Sequence, residues 1–274
     1  MTTQTAVAPE RSIRWRNADQ HAAGAVRYLE MLTGIVQSHK DRSIELLNLK
    51  PGQSAIEIGC GMGRESEAMA RLVGPGGKVV GIDASQALLD QATARTAPLG
   101  LPLEFRRGDA HKLPFANNSF DAARGERVFE HLADPAGAVR ELARVVRPGG
   151  RIAGLEPDFE TIAVAGVPLA VTRAILRHKT DIAIAHGTIG REMRRLLQEA
   201  GCHDLHSETV AVTFPTLKMF EDVLSMRNNV EGARAEGWIT EQQATSWWAD
   251  LEELDRTGGF FASLCGMFFA GTVS

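Results

Sequence analysis

The chain has 274 residues, 44% of them apolar and 23% charged, with a formal net charge of −4. Such a balance fits one large globular domain or a domain with an elaborate cap. It argues against a general nucleic-acid binder, which needs clustered Lys and Arg to neutralise phosphates.

Residues 1–18 read as loosely ordered, with Trp15 as a possible anchor. Residues 20–47 carry Val26, Leu29, Leu32, Ile35 and Val36 at helical spacing and predict one or two helices. After the turn "KPG", "SAIEIG" predicts a buried strand and "GRESEAMARLV" a helix that "GPGG" ends. The alternation repeats. "KVVGIDA" is a strand, and "SQALLDQATARTA" is a helix capped by Ser85. "LPLEFRRGDA" and "SFDAARGERV" are strands, and "DPAGAVRELARVV" is a helix with Pro135 in its first turn. "PGGRIAGLEPD" gives a turn and a fifth strand. Short apolar strands alternating with helices predict a parallel sheet covered on both faces. Beyond residue 158 the pattern loosens into helices over 168–185, 190–200, 216–230 and 240–256. These surround a strand, "HDLHSETVAVTF", and are followed by an apolar terminal strand or hairpin. They predict a late helical cap.

No signal peptide and no run of 18 apolar residues is apparent, so no membrane span is expected. Cys60, Cys202 and Cys265 are odd in number, far apart and without CxxC spacing. They predict reduced thiols in a cytoplasmic protein. No His/Cys/Asp cluster has metal-ligand spacing, so no metal is expected.

The chemistry starts at "EIGCGMGRE", where Gly59, Gly61 and Gly63 lie between a strand and a helix. That order puts backbone N–H groups and a helix N-terminus at the carboxyl edge of the sheet, where open α/β sheets bind ligands. A dinucleotide fingerprint is G-x-G-x-x-G; the spacing here is G-x-G-x-G. Three successive strands end near an acid: Glu57, Asp83 and Asp109. A carboxylate such as Glu57 repels a pyrophosphate and suits a cationic or amine-bearing ligand. Asp83 lies where a ribose-binding acid belongs, and Asp109 can receive an adenine amino group. Two structural alternatives stay open: Gly63 as a helix–strand packing glycine, and Asp109 as a turn former.

With these residues in place, the chain resembles a class I S-adenosylmethionine-dependent methyltransferase. It is most similar to the ubiquinone and menaquinone methyltransferase-like branch (type 11), which includes many natural-product enzymes. The resemblance rests on "AIEIGCGMGRESEAMA", "VVGIDAS", "GDAHKLPFANNSFDAARGERVFEHLADP" and "ELARVVRPGGRIAGLEPD", collinear over residues 50–160. It implies a Rossmann-like, doubly wound, mostly parallel sheet with an antiparallel last strand, an N-terminal helical lid and a late helical cap. The lid would be residues 1–48, the cofactor-binding core 49–160, and the rest of the sheet with the substrate cap 161–274, all one globular unit. The resemblance assigns S-adenosylmethionine, with S-adenosylhomocysteine as product, to Glu57, Gly59, Gly61, Gly63, Asp83, Ala84, Asp109 and Ala110. Arg124 and Glu126 would line its methionine end, in a stretch where relatives often carry a small polar residue. Tyr28, on the N-terminal helix, would contact the cofactor or else be an aromatic on an amphipathic helix.

Methyl transfer is an in-line displacement in which the protein aligns a nucleophile and, when needed, removes its proton. His131 is the candidate base and Glu156 its catalytic companion, with Glu156 and Asp158 open to alternative duty as helix caps. Trp15, Phe159, Phe220 and Met226 are assigned to an apolar acceptor pocket. The expected partner is a small, lipophilic or aromatic acceptor, with no nucleic acid, in a monomer or homo-oligomer. Alternatives are a methyltransferase-fold cyclase or binding protein, an NAD(P)-dependent oxidoreductase, and an RNA or protein methyltransferase. The glycine spacing and Glu57 weigh against NAD(P), and the mild acidity weighs against RNA.

Overall fold

In a computed structural model that describes residues 39–274, the elements follow the predicted alternation. Strands β1 (Ser54–Ile58), β2 (Lys78–Asp83), β3 (Leu103–Arg107) and β4 (Phe120–Glu126) lead to the long β5 (Val146–Val164). Helices α1 (Arg64–Val73), α2 (Gln86–Thr96) and α3 (Pro135–Val145) connect them. The second half contributes α4 (Leu169–His178), α5 (Ile189–Glu199), β6 (Cys202–Phe214), α6 (Leu217–Leu224), α7 (Met226–Ala235), α8 (Glu241–Thr257) and β7 (Ala262–Val273). Ser85 caps α2 by accepting from Leu88 N, and Asp134 caps α3 ahead of Pro135 by accepting from Gly137 N.

Among the described residues the strands form one seven-stranded sheet, ordered β3-β2-β1-β4-β5-β7-β6. β1 to β5 run parallel, and β7 is antiparallel to both β5 and β6. The order reverses between β1 and β4, and the crevice at such a switch point is where open α/β sheets hold ligands.

Burial follows the strand alternation. Ile56 and Ile58 of β1 pack with α3 and α5 residues such as Val139, Leu142, Met193 and Leu197 on one face. Ala55 packs with Leu47, Met69, Ala70 and Phe268 on the other. A third core binds the cap, where Trp247, Phe220, Met226 and Ile175 surround Phe159 and Ile162 of β5. Trp247 Nε1 donates to Thr172 Oγ1 at 2.9 Å, satisfying a fully buried indole.

The longer-than-expected β5 joins the two halves. Its register with β7 breaks between Asp158 and Ala163. Thr161 Oγ1 accepts the Cys265 N–H at 2.9 Å inside that break, so the ladder group there stays paired. The bulge redirects the strand and carries Phe159 and Ile162 from the sheet into the cap core.

Candidate active site

The carboxyl ends of β1, β2, β4 and β5 meet at the switch point. Gly59, Gly61 and Gly63 all have positive φ (65, 52 and 68°), a path that L side chains rarely adopt. Close approach adds a second requirement. A Cβ on Gly59 would come within 2.8 Å of Val128 Cγ2, and one on Gly63 would overlap the Phe105 ring. Gly63 therefore carries the packing role left open by the sequence, at the start of α1, with no side-chain cap there.

Asp83 organises this loop from β2. One carboxylate oxygen accepts from Gly61 N at 2.8 Å and the other from Ser85 N at 2.9 Å. Asp83 is only part-buried, and Ala84 beside it is exposed. Asp109 is the turn former of the alternative reading. Its side chain is 68% exposed, and Oδ1 takes the backbone N–H of His111 at 2.9 Å and the ring Nδ1 at 2.6 Å. The His111 backbone N–H, aided by the His111 ring, holds its carboxyl below the ordinary range despite partial burial. Ala110 beneath it is buried.

Three residues expected on the cofactor have a different setting. Glu57 and Arg124 are cross-strand partners on β1 and β4. Arg124 is 1% exposed and pairs with both Glu57 and Glu126. The other Glu57 oxygen accepts from Ser66 Oγ, and Ser43 Oγ bonds both Arg124 and Glu126. Glu57 thus engages both oxygens inside the protein rather than aiming a free carboxylate at the ligand. Residues on one sheet face two positions apart on β4, plus a cross-strand neighbour, converge because strand side chains alternate. Lys40 and Glu65 add a further ion pair at 2.7 Å. Three carboxylates, Glu57, Glu65 and Glu126, thereby share two cations. Burial outweighs the pull of Arg124 and raises the Glu57 carboxyl to about 7. Burial raises Glu126 too.

His131 ends a one-turn 3-10 helix, Phe129–His131, after β4. Val128, just before it, is the residue that Gly59 approaches, so the turn rests on the glycine loop. Glu156 lies beneath, fully buried on β5. Its Oε1 accepts from Val128 N (2.9 Å) and Phe129 N (3.2 Å), and Oε2 from Glu130 N (3.3 Å). A carboxylate enclosed in this way cannot also touch an acceptor, so Glu156 positions the turn that carries His131. Asp158 is equally buried and is paired with Arg191 of α5.

The expected pocket residues Phe159, Phe220 and Met226 are corrected as well. Phe220 and Met226 are 0% exposed in the middle of the cap core, and Phe159 lies under Lys179, whose Nζ stands 4.7 Å from the ring centroid. Aromatic and methionine side chains at helical spacing fill the cap here rather than line a cavity. Trp15 and Tyr28 lie outside the described residues. Sequence reasoning missed Lys40, Ser43 and Glu65, because only the fold brings the helical stretch 39–45 against β1 and β4. It also missed Glu130, although the pair "EH" stood in plain view.

Known proteins place this arrangement. A family model described as a methyltransferase domain matches residues 56–154, which hold the glycine loop, Asp83, Asp109 and His131. An uncharacterised 37.1 kDa protein in a transposon of Streptomyces fradiae is 37% identical over 241 residues, covering 87% of this chain and 68% of that protein. The chain belongs to the class I S-adenosylmethionine-dependent methyltransferases. The demethylmenaquinone methyltransferase of Desulfitobacterium hafniense is 35% identical over 128 residues, 46% of this chain and 51% of that enzyme. The chain thus spans about half the length of that relative. A putative methyltransferase of Bacillus halodurans shares the fold, with a TM-score of 0.60 at 18% identity, over 86% of this chain and 98% of that one.

The methyltransferase's residues fit its family's cofactor. The left-handed glycine path bares the backbone, the part-buried Asp83 stands beside it, and the exposed Asp109 flanks it. When bound, S-adenosylmethionine supplies an electrophilic methyl and a thioether leaving group. Among the described residues no helix is long and apolar enough to cross a membrane.

Proposed function

We propose that this methyltransferase methylates a small, lipophilic acceptor whose proton must leave during transfer, and that His131 receives that proton. The observation that carries the reading is the turn of residues 128–131. It rests on the glycine loop through Val128 and is clamped from below by Glu156. An imidazole on a fixed turn beside the cofactor loop is a general base in position. Gly59, Gly61, Gly63, Asp83, Ala84, Asp109 and Ala110 hold the cofactor. Glu57, Arg124 and Glu126 act behind the loop through their ion pairs.

The lipophilic acceptor is supported by the names of relatives. One is a demethylmenaquinone methyltransferase, and another is the 2-phytyl-1,4-naphthoquinone methyltransferase of Synechococcus elongatus, 36% identical over 125 residues. The helical cap, built of α4, α6, α7 and α8, supplies the apolar wall on the acceptor side. The expected lid, residues 1–48, lies outside the described residues as far as residue 38. The acceptor is a small molecule rather than nucleic acid, the protein works as a monomer or homo-oligomer, and three free cysteines suit a reducing cytoplasm.

The test is transfer of a labelled methyl from S-adenosylmethionine to a panel of acceptors: a short-chain demethylmenaquinol, simple phenols, primary amines and RNA. Labelling of the quinol or phenols, with amines and RNA unlabelled, is the expected result. Labelling of RNA or amines alone would overturn it.

A further inference from the structure

Glu130 lies between Phe129 and His131 on the 3-10 turn and is 2% exposed. Its Oε1 is 3.2 Å from His131 Nε2. Its Oε2 is buried with no hydrogen-bond partner. A buried carboxylate with one oxygen unpaired is costly unless a cation faces it. His131 faces it from its own turn, Arg127 from the residue that leaves β4, and Lys179 from the segment after α4. Glu156 opposes it from β5.

These neighbours divide two buried carboxyls into different roles. Burial alone would raise Glu130. A protonated His131 ring, together with Arg127 and Lys179, outweighs burial and holds Glu130 below the ordinary range. Burial and the Glu130 charge push Glu156 well above that range, and its three backbone N–H bonds only partly offset them. Glu130 is therefore the charged member, turned toward the imidazole, and Glu156 is the backbone clamp. Glu130 is itself held by the chain, since its carbonyl accepts the His186 N–H at 3.1 Å.

We propose that Glu130 is the positioning residue for His131, holding the imidazole through Nε2 so that Nδ1 receives the acceptor's proton. This rests on the reading of His131 as the base. In the step, the acceptor's O–H electron pair goes into the new bond to the methyl carbon while the carbon–sulfur pair stays on sulfur. The proton passes to Nδ1, and the imidazolium that forms lies against the Glu130 carboxylate. Sequence neighbours do not face each other on a regular helix. They meet here on a single 3-10 turn, entered from Val128 at φ −121° and ψ −39°.

The test has a spectroscopic arm and a kinetic arm. In the first, protein labelled with ¹⁵N in its histidine rings is saturated with S-adenosylhomocysteine, and the His131 signal is assigned by its loss in H131N. The wild type should carry the neutral-ring proton on Nε2. Glu130→Gln should mix the two tautomers, because a carboxamide can either donate to Nε2 or accept from it. In the second arm, with short-chain demethylmenaquinol as acceptor, Glu130→Gln should lower kcat by about tenfold or more. KM and S-adenosylhomocysteine affinity should stay within about twofold of wild type, and Glu130→Asp should recover part of the loss. An unchanged Nε2-protonated ring together with unchanged kcat in Glu130→Gln would overturn the pairing. Full activity of His131→Ala would instead overturn the base assignment on which the pairing's role depends, whatever the spectra show.

Discussion

Asp83 serves the fold and, in the proposed reading, the ligand as well. It is part-buried and joins the glycine loop to the start of α2 through Gly61 N and Ser85 N. Asp83→Ala should weaken S-adenosylhomocysteine binding by roughly 1.5–3 kcal/mol through lost charge-assisted bonds. The loop bonds are lost with it, so calorimetry should show a binding entropy less favourable than in wild type. Unchanged affinity would remove Asp83 from the site. At His131 the expected effect is on chemistry. His131→Ala should lower single-turnover methylation by more than about tenfold, roughly 1.4 kcal/mol of barrier, with cofactor affinity preserved. The side chain is 19% exposed at the edge of its turn and contributes little to the core.

At the scale of elements, the junction of β1 and α1 is where geometry is least forgiving. Gly63 precedes α1 with a φ of 68° and faces Phe105 of β3 and Ala92 of α2. Gly100 has a similar φ of 61° but nothing within 4 Å of its missing Cβ. The pair separates backbone strain from overlap. Gly100→Ala should cost about 1–2 kcal/mol from the left-handed conformation alone. Gly63→Ala should cost that plus about 1–3 kcal/mol for the displaced ring. Urea unfolding of both variants measures the difference, and equal losses would mean that Phe105 moves aside freely. The β5 bulge is a second sensitive element, because a side chain, Thr161 Oγ1, accepts the Cys265 N–H there.

Across the whole molecule, the buried charges behind the glycine loop tie the helical stretch 39–45 to β1, β4 and α1. Lys40 reaches Glu65, and Ser43 reaches Arg124 and Glu126. With three carboxylates and two cations in the group, burial favours the protonated form of Glu57. The Glu57 carboxyl stands at about 7 when folded, against an ordinary 4.5. Between those values the folded protein keeps a proton that the unfolded chain has released. Stability from this site is therefore fully present below about 4.5 and falls as pH rises through about 7. Glu57→Gln mimics the protonated form and should gain on wild type as pH rises from 5 to 8 in urea titrations. A gain in the opposite direction would show that the cluster prefers Glu57 ionised.

The strand–helix alternation, the glycine path and the acid at each strand end were legible in the sequence, because each rests on local chemistry. A φ above zero selects glycine, alternating apolar residues select a buried strand, and a Ser or Asp before a helix selects a cap. Asp83, Gly59 and His131 accordingly lie where their spacing put them. What depended on distant neighbours was not legible. The composition of "RGERV" gives no sign that Arg124 would pair with Glu57 one strand away and with Ser43 from the helical stretch before β1. Nor does "GLEPD" reveal that Glu156 would be enclosed by three backbone N–H groups. Phe220 and Met226 read equally well as pocket or core, since an apolar helical stripe looks the same in both. Only packing against Phe214, Trp247 and β5 decided for the core. The sequence thus set where the glycine loop, Asp83 and His131 lie along the strand–helix alternation. The tertiary structure decided which carboxylates were buried and paired, because burial and pairing are properties of the assembled sheet and not of any single segment.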